Sequence, residues 1–187
     1  MILFILGLII FFGTHFYTAL ARKSRERLVA RVGAGPYKGI YSLASIAGFA
    51  LIVIGWPSAD ATGLYSPPAW TRHVAYLLML VALILLAAAY TPKGKIAAAV
   101  KHPMIAGVKA WAFAHLLVNG DVRSVLLFGA FLSYGVIDRI ALKRRGDNGP
   151  APGPAANDLI AIAVGVAAWL AIYLYLHPYI AGVTLRP

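Results

Sequence analysis

The sequence predicts an all-α, polytopic membrane protein: a single domain, residues 1–187, built as a bundle of about six transmembrane helices. Of its 187 residues, 61% are hydrophobic and only 12% are charged, against roughly 45–50% and about 25% in soluble domains. A water-soluble fold cannot bury so much apolar surface, so the remainder must face a lipid bilayer. The basic residues, moreover, lie between the apolar runs, which is the distribution of topology signals.

The first apolar run, Ile2 to Leu20, is long enough to cross a hydrocarbon core of roughly 30 Å. A signal peptide has positive charges before its apolar run and a small-residue cleavage site after it. Here the positive charges come after the run and no such cleavage site is present, so we interpret the run as a retained span. The fourth of the six predicted spans, Pro103 to Val118, is the shortest and includes Lys109 and His115. The other predicted spans are Gly39 to Trp56, His73 to Tyr90, Ser124 to Leu142 and Asp158 to His177.

Two segments do not read as spans. Residues 21–38 form a basic amphipathic stretch that we expect to lie on the membrane interface. Residues 146–157 are rich in glycine, proline and alanine, a composition typical of a flexible linker.

The basic residues predict the topology. Most of the 17 lysines and arginines fall in the loops after the first, third and fifth spans, whereas the other two loops hold only Arg72 and Arg123. Because cytoplasmic loops carry the excess of lysine and arginine, both termini are predicted on the outer, periplasmic side of a cytoplasmic (inner) membrane.

Composition also excludes several function classes. The net charge of +11 does not indicate nucleic-acid binding, because that requires a solvated basic face on a polar module. Cysteine is absent, so disulfides, zinc–thiolate sites and iron–sulfur clusters are excluded. Metal chemistry would therefore fall to histidines and carboxylates.

The five histidines differ in position. His73 and His177 lie at span ends, where a structural role is expected, whereas His15 lies inside the first span. A buried imidazole there serves either a helix–helix hydrogen bond or a metal. His102 precedes Pro103, which predicts a helix N-cap. The positive end of the helix dipole keeps such a ring neutral and able to bind a metal.

His115 follows His102 by 13 residues, which is about 20 Å along a helix, so these two cannot bind one metal. A bis-histidine haem requires a ligand from another helix, and His15 is the remaining candidate inside the membrane. The predicted depths favour His15 with His102, and His15 with His115 is the alternative.

Several polar residues have two interpretations. Lys109 either reaches the interface with its amine or contacts a haem propionate, for which Lys38, Tyr41 and Arg139 are further candidates. Asn119 to Arg123 predicts a turn and an N-cap, and Asp138 is expected to pair with the neighbouring basic cluster. The glycines predicted to allow close helix packing are Gly7, Gly48, Gly107, Gly129 and Gly165.

Five motifs in order carry a resemblance to a known family. They are Gly13-Thr14-His15-Phe16, Pro36-Tyr37-Lys38-Gly39-Ile40-Tyr41-Ser42-Leu43, Lys101-His102-Pro103, Ala114-His115-Leu116-Leu117-Val118-Asn119-Gly120-Asp121 and Val136-Ile137-Asp138-Arg139. Over the whole chain the sequence resembles the NnrU-like integral membrane proteins, which include the 15-cis-zeta-carotene isomerases (Z-ISO) of plants and cyanobacteria.

The resemblance implies a bacterial membrane protein with haem b, its iron ligated by His15 and His102, with His115 as an alternative ligand or neighbour. It also implies a link to denitrification and nitric oxide metabolism, and partners such as nitric oxide, a hydrophobic small molecule, a second copy or a membrane redox protein. In the isomerase branch, the haem protein rotates a carotenoid double bond, which makes a haem-dependent polyene isomerase the alternative function. No residue is assigned a catalytic role.

Two other functions are weighed against these. A basic-His-Pro motif also occurs in isoprenylcysteine-type methyltransferases, but their C-terminal glutamate-rich motif is missing here, and Glu26 is the single glutamate. A non-catalytic accessory subunit of a membrane complex remains open, and haem content would distinguish it from the haem protein.

Overall fold

The apolar runs predicted from the sequence form α-helices, and the all-α prediction is confirmed. The computed structural model describes residues 1–185, and the β pairing within them is confined to an isolated bridge between Gly63 and Asp121. The α-helices are α1 (Ile2–Leu20), α2 (Arg22–Val32), α3 (Ala34–Gly55), α4 (Thr71–Tyr90), α5 (Lys95–Val100), α6 (Pro103–Leu116), α7 (Val122–Arg144), α8 (Ala155–Ala171) and α9 (His177–Ala181). A 3-10 turn, Trp56–Ser58, extends α3, and a π-helical turn, Ile172–Leu176, joins α8 to α9.

Five continuous helical segments within residues 1–185 are long and apolar enough to cross a membrane. The predicted fourth span instead forms α6, a helix of 14 residues that is about 21 Å long. It begins at Pro103 and ends before the turn at Asn119 and Gly120. A multi-pass membrane protein is confirmed, with five helical segments in the described residues long and apolar enough to span and the predicted fourth span as a shorter helix. The long segments are Ile2–Leu20, Ala34–Ser58, Thr71–Tyr90, Val122–Arg144 and Ala155–Ala181.

The observed helix boundaries differ from the predicted segment boundaries in two places. The basic stretch forms α2 up to Val32, and Gly33, with φ of 88°, separates it from α3. Lys38 therefore belongs to the early turns of the second span, because α3 already begins at Ala34. The last span begins at Ala155, inside the predicted linker.

The chain divides into two compact units, and the first consists of Met1–Pro67 and Asn119–Gly146. In this unit α1 packs along α3 and also against α7. Glycines permit the close approach: a Cβ on Gly7 would lie 2.6 Å from the Ile52 nitrogen, and one on Gly48 equally close to the Phe11 nitrogen. The predicted packing role of these two glycines is confirmed. The core consists of Phe4, Leu8, Phe12, Ile52 and Ala59.

The second unit consists of Pro68–Val118 and the residues from Asp147 to the end of the described chain. Here α4 packs against α6 and α8, and small side chains make this possible. A Cβ on Gly107 would meet α4 at the Ala82 oxygen, and one on Gly165 would meet α4 at Ile84, so these two predictions are also confirmed. Buried alanines complete the core: Ala75, Ala82, Ala88, Ala97, Ala112, Ala114 and Ala161.

Large apolar side chains on the helix exteriors fit contact with a bilayer. On α3, Leu43 is 70% exposed, and Ile40 and Ile46 are also largely exposed. A row of this kind on a helix cannot face water without a large cost, so lipid is its natural neighbour. Gly129 on α7, the fifth glycine predicted for packing, has nothing within 4 Å of a built Cβ.

Candidate functional site

His15 lies on α1 with its ring orientation fixed by the turn before it. The Nδ1 atom is 2.7 Å from the Phe11 carbonyl oxygen, and the imidazole stacks on the Phe11 ring at 4.2 Å between centroids with a 27° interplanar angle. Because the carbonyl only accepts hydrogen bonds, Nδ1 carries the proton and the lone pair resides on Nε2. Nε2 is therefore the ring nitrogen that could accept a hydrogen bond or a metal ion.

Two tyrosines from neighbouring helices complete the surroundings of His15. The ring centroids of Tyr41, on α3, and Tyr134, on α7, lie 5.5 and 5.4 Å from the imidazole centroid. The Asp138 carboxylate lies near enough to His15 and Tyr134 to act electrostatically on both. The first unit thus brings the predicted residues His15 and Tyr41 together and adds Tyr134, which has no distinguishing pattern in the sequence.

Asp138 pairs with the basic cluster at the end of α7, as predicted. Its Oδ1 is 3.9 Å from Arg145 Nη2, and Arg145 also donates through Nη1 to the Ala19 carbonyl oxygen at 3.4 Å. These contacts fix the end of α7 to the end of α1. Asp138 therefore has a structural partner as well as an electrostatic influence on His15.

Arg139 and Lys38, two candidates for a propionate contact, differ in exposure. Lys38 is exposed on α3. The Nη1 atom of Arg139 is buried and finds no hydrogen-bond acceptor among the described residues. A buried guanidinium nitrogen without an acceptor is costly, and an anionic group is the partner that would satisfy it.

His102, in the second unit, is the N-cap of α6, as predicted. Pro103 occupies the first helical position, and the His102 backbone is non-helical with φ of −128°. The residue before it, Lys101, has φ of 66°, and the His102 N–H donates to the Val100 oxygen at 2.8 Å. Val100, Lys101 and His102 therefore form a γ-turn of the rare, strained type.

The His102 side chain meets the segment before the last span. Its Nε2 lies 3.5 Å from both the backbone oxygen and the Oδ1 of Asp147, and only 15% of the His102 side chain is exposed. The neighbouring Asn148 accepts from Lys101 Nζ at 3.4 Å. Asp147 is a contact that sequence reasoning missed, because the two residues are 45 positions apart.

His115 lies in the last turn of α6, at the other end of the helix from His102. This placement confirms that the two cannot share one metal. Its Nδ1 is 2.8 Å from the Trp111 carbonyl oxygen, and His177 is close enough to interact with it electrostatically. Lys109, between the two histidines on α6, is half-buried. Sequence spacing gave no signal that His177 would lie near His115.

Residues 1–185 contain no group of three or more histidines, aspartates or glutamates arranged to hold a metal ion. A haem differs from such centres because its porphyrin supplies four ligands and the protein supplies one or two. The single histidines described above are therefore the relevant candidates for ligation.

The turn between α6 and α7 is ordered by hydrogen bonds with the loop after α3. Asp121 caps α7 by accepting from the Ser124 N–H at 3.0 Å, which confirms the predicted N-cap. Tyr65 donates to the Asn119 oxygen at 2.9 Å, and partial desolvation together with the charge of Asp121 raises the pKa of its hydroxyl. In the same loop, hydrogen bonds to Thr62 lower the pKa of Asp60. This turn is a structural element, as predicted.

The family model described as NnrU protein matches residues 3–185. The chain belongs to the NnrU family. The match covers nearly all of the chain, so the resemblance inferred from the five motifs is confirmed at the level of the family. No curated protein and no solved structure shows significant similarity to this NnrU family member.

Proposed function

We propose that this NnrU family member is a membrane haem b protein whose axial ligands are His15 and His102. The observation that carries the proposal is the geometry of His15. Its Nδ1–H is held by the Phe11 carbonyl, its ring is fixed by stacking, and Nε2 accepts no hydrogen bond from residues 1–185. Ligating histidines in proteins are held in this way, with the second nitrogen donating to a backbone carbonyl.

The local structure around His102 also favours ligation. His102 is the N-cap of α6, and Pro103 at the first helical position restricts its backbone, so the imidazole is placed at the start of the helix. The side chain is mostly buried, so its orientation is restricted. The support for the pair thus comes from each histidine's own surroundings, one in each unit.

Arg139 is the best candidate for a haem propionate. The guanidinium has a buried, unsatisfied nitrogen, and bidentate recognition of carboxylates is the strength of arginine. Tyr41, beside His15, supplies a hydroxyl in the same unit. Lys38 and Lys109 remain secondary candidates, because one is exposed and the other lies within the second unit.

The residues around His15 define what the chain itself contributes. The rings of Phe11, Tyr41 and Tyr134 lie around the half-buried imidazole, and such aromatic surroundings restrict its orientation. A bound haem would supply reversible one-electron chemistry and the binding of small gases. We assign this chemistry to bacterial denitrification and nitric oxide metabolism, on the strength of the resemblance.

Visible spectra of the detergent-purified protein, oxidised and reduced, test the proposal. Wild type is expected to show a low-spin b-type spectrum, His15→Ala and His102→Ala to lose it, and the exposed control His73→Ala to keep it. If His115→Ala loses the low-spin spectrum while His102→Ala keeps it, the ligand pair is wrong. Wild type that carries no haem after expression with ample haem supply would refute the cofactor and favour an accessory subunit.

The reaction is tested with the same protein once haem is present. Addition of nitric oxide to the reduced form is expected to shift the Soret band, while a cis polyene is expected to remain unisomerised. Turnover of the polyene without a response to nitric oxide would replace the proposed role with the isomerase alternative.

A further inference from the structure

Three residues of the segment before the last span, Asp147 to Gly149, lie against the turn that precedes α6. Asp147 approaches His102 Nε2 with both its backbone oxygen and its carboxylate, each at 3.5 Å. Asn148 accepts from the Lys101 amine, so two successive residues of the segment contact two successive residues of the turn.

Gly149 fixes this segment in place. Its φ is 73°, a conformation that other residues rarely adopt. A Cβ on Gly149 would lie 2.6 Å from the Lys101 Cα and would also meet the Lys101 carbonyl oxygen. Backbone therefore packs directly on backbone, and the approach of Asp147 to His102 depends on the absence of a side chain at position 149.

The turn that carries His102 is itself constrained. Lys101 has φ of 66° and ψ of −48°, and the His102 N–H donates a hydrogen bond to the Val100 oxygen. A residue held in so sparsely populated a conformation persists only where the surrounding structure imposes it. The close backbone approach of Gly149 to Lys101 is one such constraint on this turn.

We propose that Asp147 is a positioning residue that prepares His102 to bind iron through Nδ1. The inference rests on the proposed function. A carboxylate and a carbonyl oxygen both accept, so the proton of the neutral imidazole resides on Nε2 and the lone pair on Nδ1. A carboxylate in this position fixes the tautomer and makes the imidazole a stronger electron donor.

The two proposed ligands are therefore not equivalent. His15 donates from Nδ1 to the neutral Phe11 carbonyl and offers Nε2, whereas the Nε2 of His102 faces the backbone oxygen of Asp147 with the Asp147 carboxylate equally close, and His102 offers Nδ1. The negative charge of Asp147 favours the ferric state of the iron, so His102 is the ligand through which the protein lowers the reduction potential.

Redox titration and haem titration of the full-length protein in detergent test this inference. Asp147→Asn is isosteric but neutral, and we expect it to shift the midpoint potential to more positive values. Asp147→Ala is expected to weaken haem binding about 10- to 100-fold. Gly149→Ala should resemble Asp147→Ala, because the added Cβ displaces the segment.

Two variants serve as matched controls. Gly146 has nearly the same φ as Gly149, 74°, but nothing lies within 4 Å of a built Cβ, so Gly146→Ala introduces the backbone strain without the displacement. Asn148→Ala removes the neighbouring contact with Lys101 and leaves the carboxylate. Both are expected to keep the wild-type potential and haem affinity.

The outcomes separate the inference from the proposed function. Wild type without haem overturns both. Haem present with an unchanged potential in Asp147→Asn and an unchanged affinity in Asp147→Ala overturns the role of Asp147 alone. Tighter haem binding by Asp147→Ala also overturns it, because Asp147 would then compete with iron for the ligating nitrogen. If Gly149→Ala does not fold, the isosteric Asp147→Asn still decides the question.

Discussion

The Arg123 guanidinium lies over the indole of Trp56, with 4.7 Å between its Cζ and the ring centroid. Its Nη1 also donates to the Trp56 carbonyl oxygen at 3.2 Å, and its Nε is 3.5 Å from Asp121 Oδ1. One side chain at the start of α7 thus joins the end of α3 to the turn after α6, within the first unit.

Replacement of Arg123 by lysine should destabilise the first unit. An ammonium keeps the charge but cannot stack on the indole and reach the carbonyl in the same geometry. We expect the free energy of unfolding to fall by about 1–2 kcal/mol, as measured by chemical denaturation in detergent. Arg72→Lys, at an exposed position of α4, should change it little, and equal effects from the two variants would refute the role of Arg123.

The Asp121 cap provides a second prediction. Its two carboxylate oxygens accept from the Ser124 N–H at 3.0 Å and the Ser124 hydroxyl at 2.7 Å, and Ser124 is only 2% exposed. Asp121→Ala leaves both buried donors without an acceptor and should lower the free energy of unfolding by about 1–2 kcal/mol. Asp121→Asn retains one acceptor oxygen, so its loss should be clearly smaller; a thermal-unfolding series of the three proteins checks the order.

Tyr65 should make the free energy of unfolding depend on pH in the alkaline range. Partial desolvation and then the charge of Asp121 raise the pKa of its hydroxyl above the ordinary value of 10.0, so the folded state prefers the neutral phenol. The stabilisation is therefore fully present below about pH 10 and is lost as pH rises through the folded-state pKa. Tyr65→Phe should be less stable than wild type at neutral pH, because the hydrogen bond to Asn119 is gone.

The difference in the free energy of unfolding between Tyr65→Phe and wild type should become smaller in alkaline solution. Denaturation curves at about pH 8 and about pH 11 measure this difference. Tyr179, which is 88% exposed, supplies the control, because Tyr179→Phe should show no such convergence. A constant difference between Tyr65→Phe and wild type at both pH values would contradict the assignment.

Helix α1 contains a matched pair of glycines. A Cβ on Gly7 would collide with the backbone of α3, whereas Gly13 has nothing within 4 Å. Gly7→Ala should therefore cost about 1–3 kcal/mol through overpacking, and Gly13→Ala should be neutral or slightly stabilising because alanine favours helix. Thermal unfolding distinguishes them, and a harmless Gly7→Ala would show that α1 and α3 do not approach so closely.

Much of this architecture follows from local sequence. A continuous apolar run near twenty residues predicts a span because every backbone polar group in lipid must be satisfied within the helix. Pro103 predicts the start of α6 and His102 its cap, because the proline ring restricts the residue before it. The pairing of Asp138 with a basic cluster was predictable because the cluster follows on the same helix.

Contacts between distant segments were not predictable in this way. Tyr134 approaches His15, but in the sequence it is one aromatic among many in an apolar span. Asp147 reads as part of a polar linker, and nothing local relates it to His102. The π-helical turn at Ile172–Leu176 and the short helix α5 likewise have no distinct pattern, since their residues would suit an ordinary span or loop.

Lys101 offers the last test, because its conformation would suit glycine better than lysine. With φ of 66° and ψ of −48°, a residue with a Cβ is strained by roughly 1–3 kcal/mol. Lys101→Gly removes that strain but adds entropy to the unfolded state, so the two effects should nearly cancel or leave a small gain in stability. Lys95→Gly, at the first position of α5, has no strain to relieve and should lose up to about 1 kcal/mol. Chemical denaturation of both variants measures the contrast; a Lys101→Gly protein as destabilised as Lys95→Gly would mean that the turn before His102 holds no strain and that Gly149 is not needed to impose it.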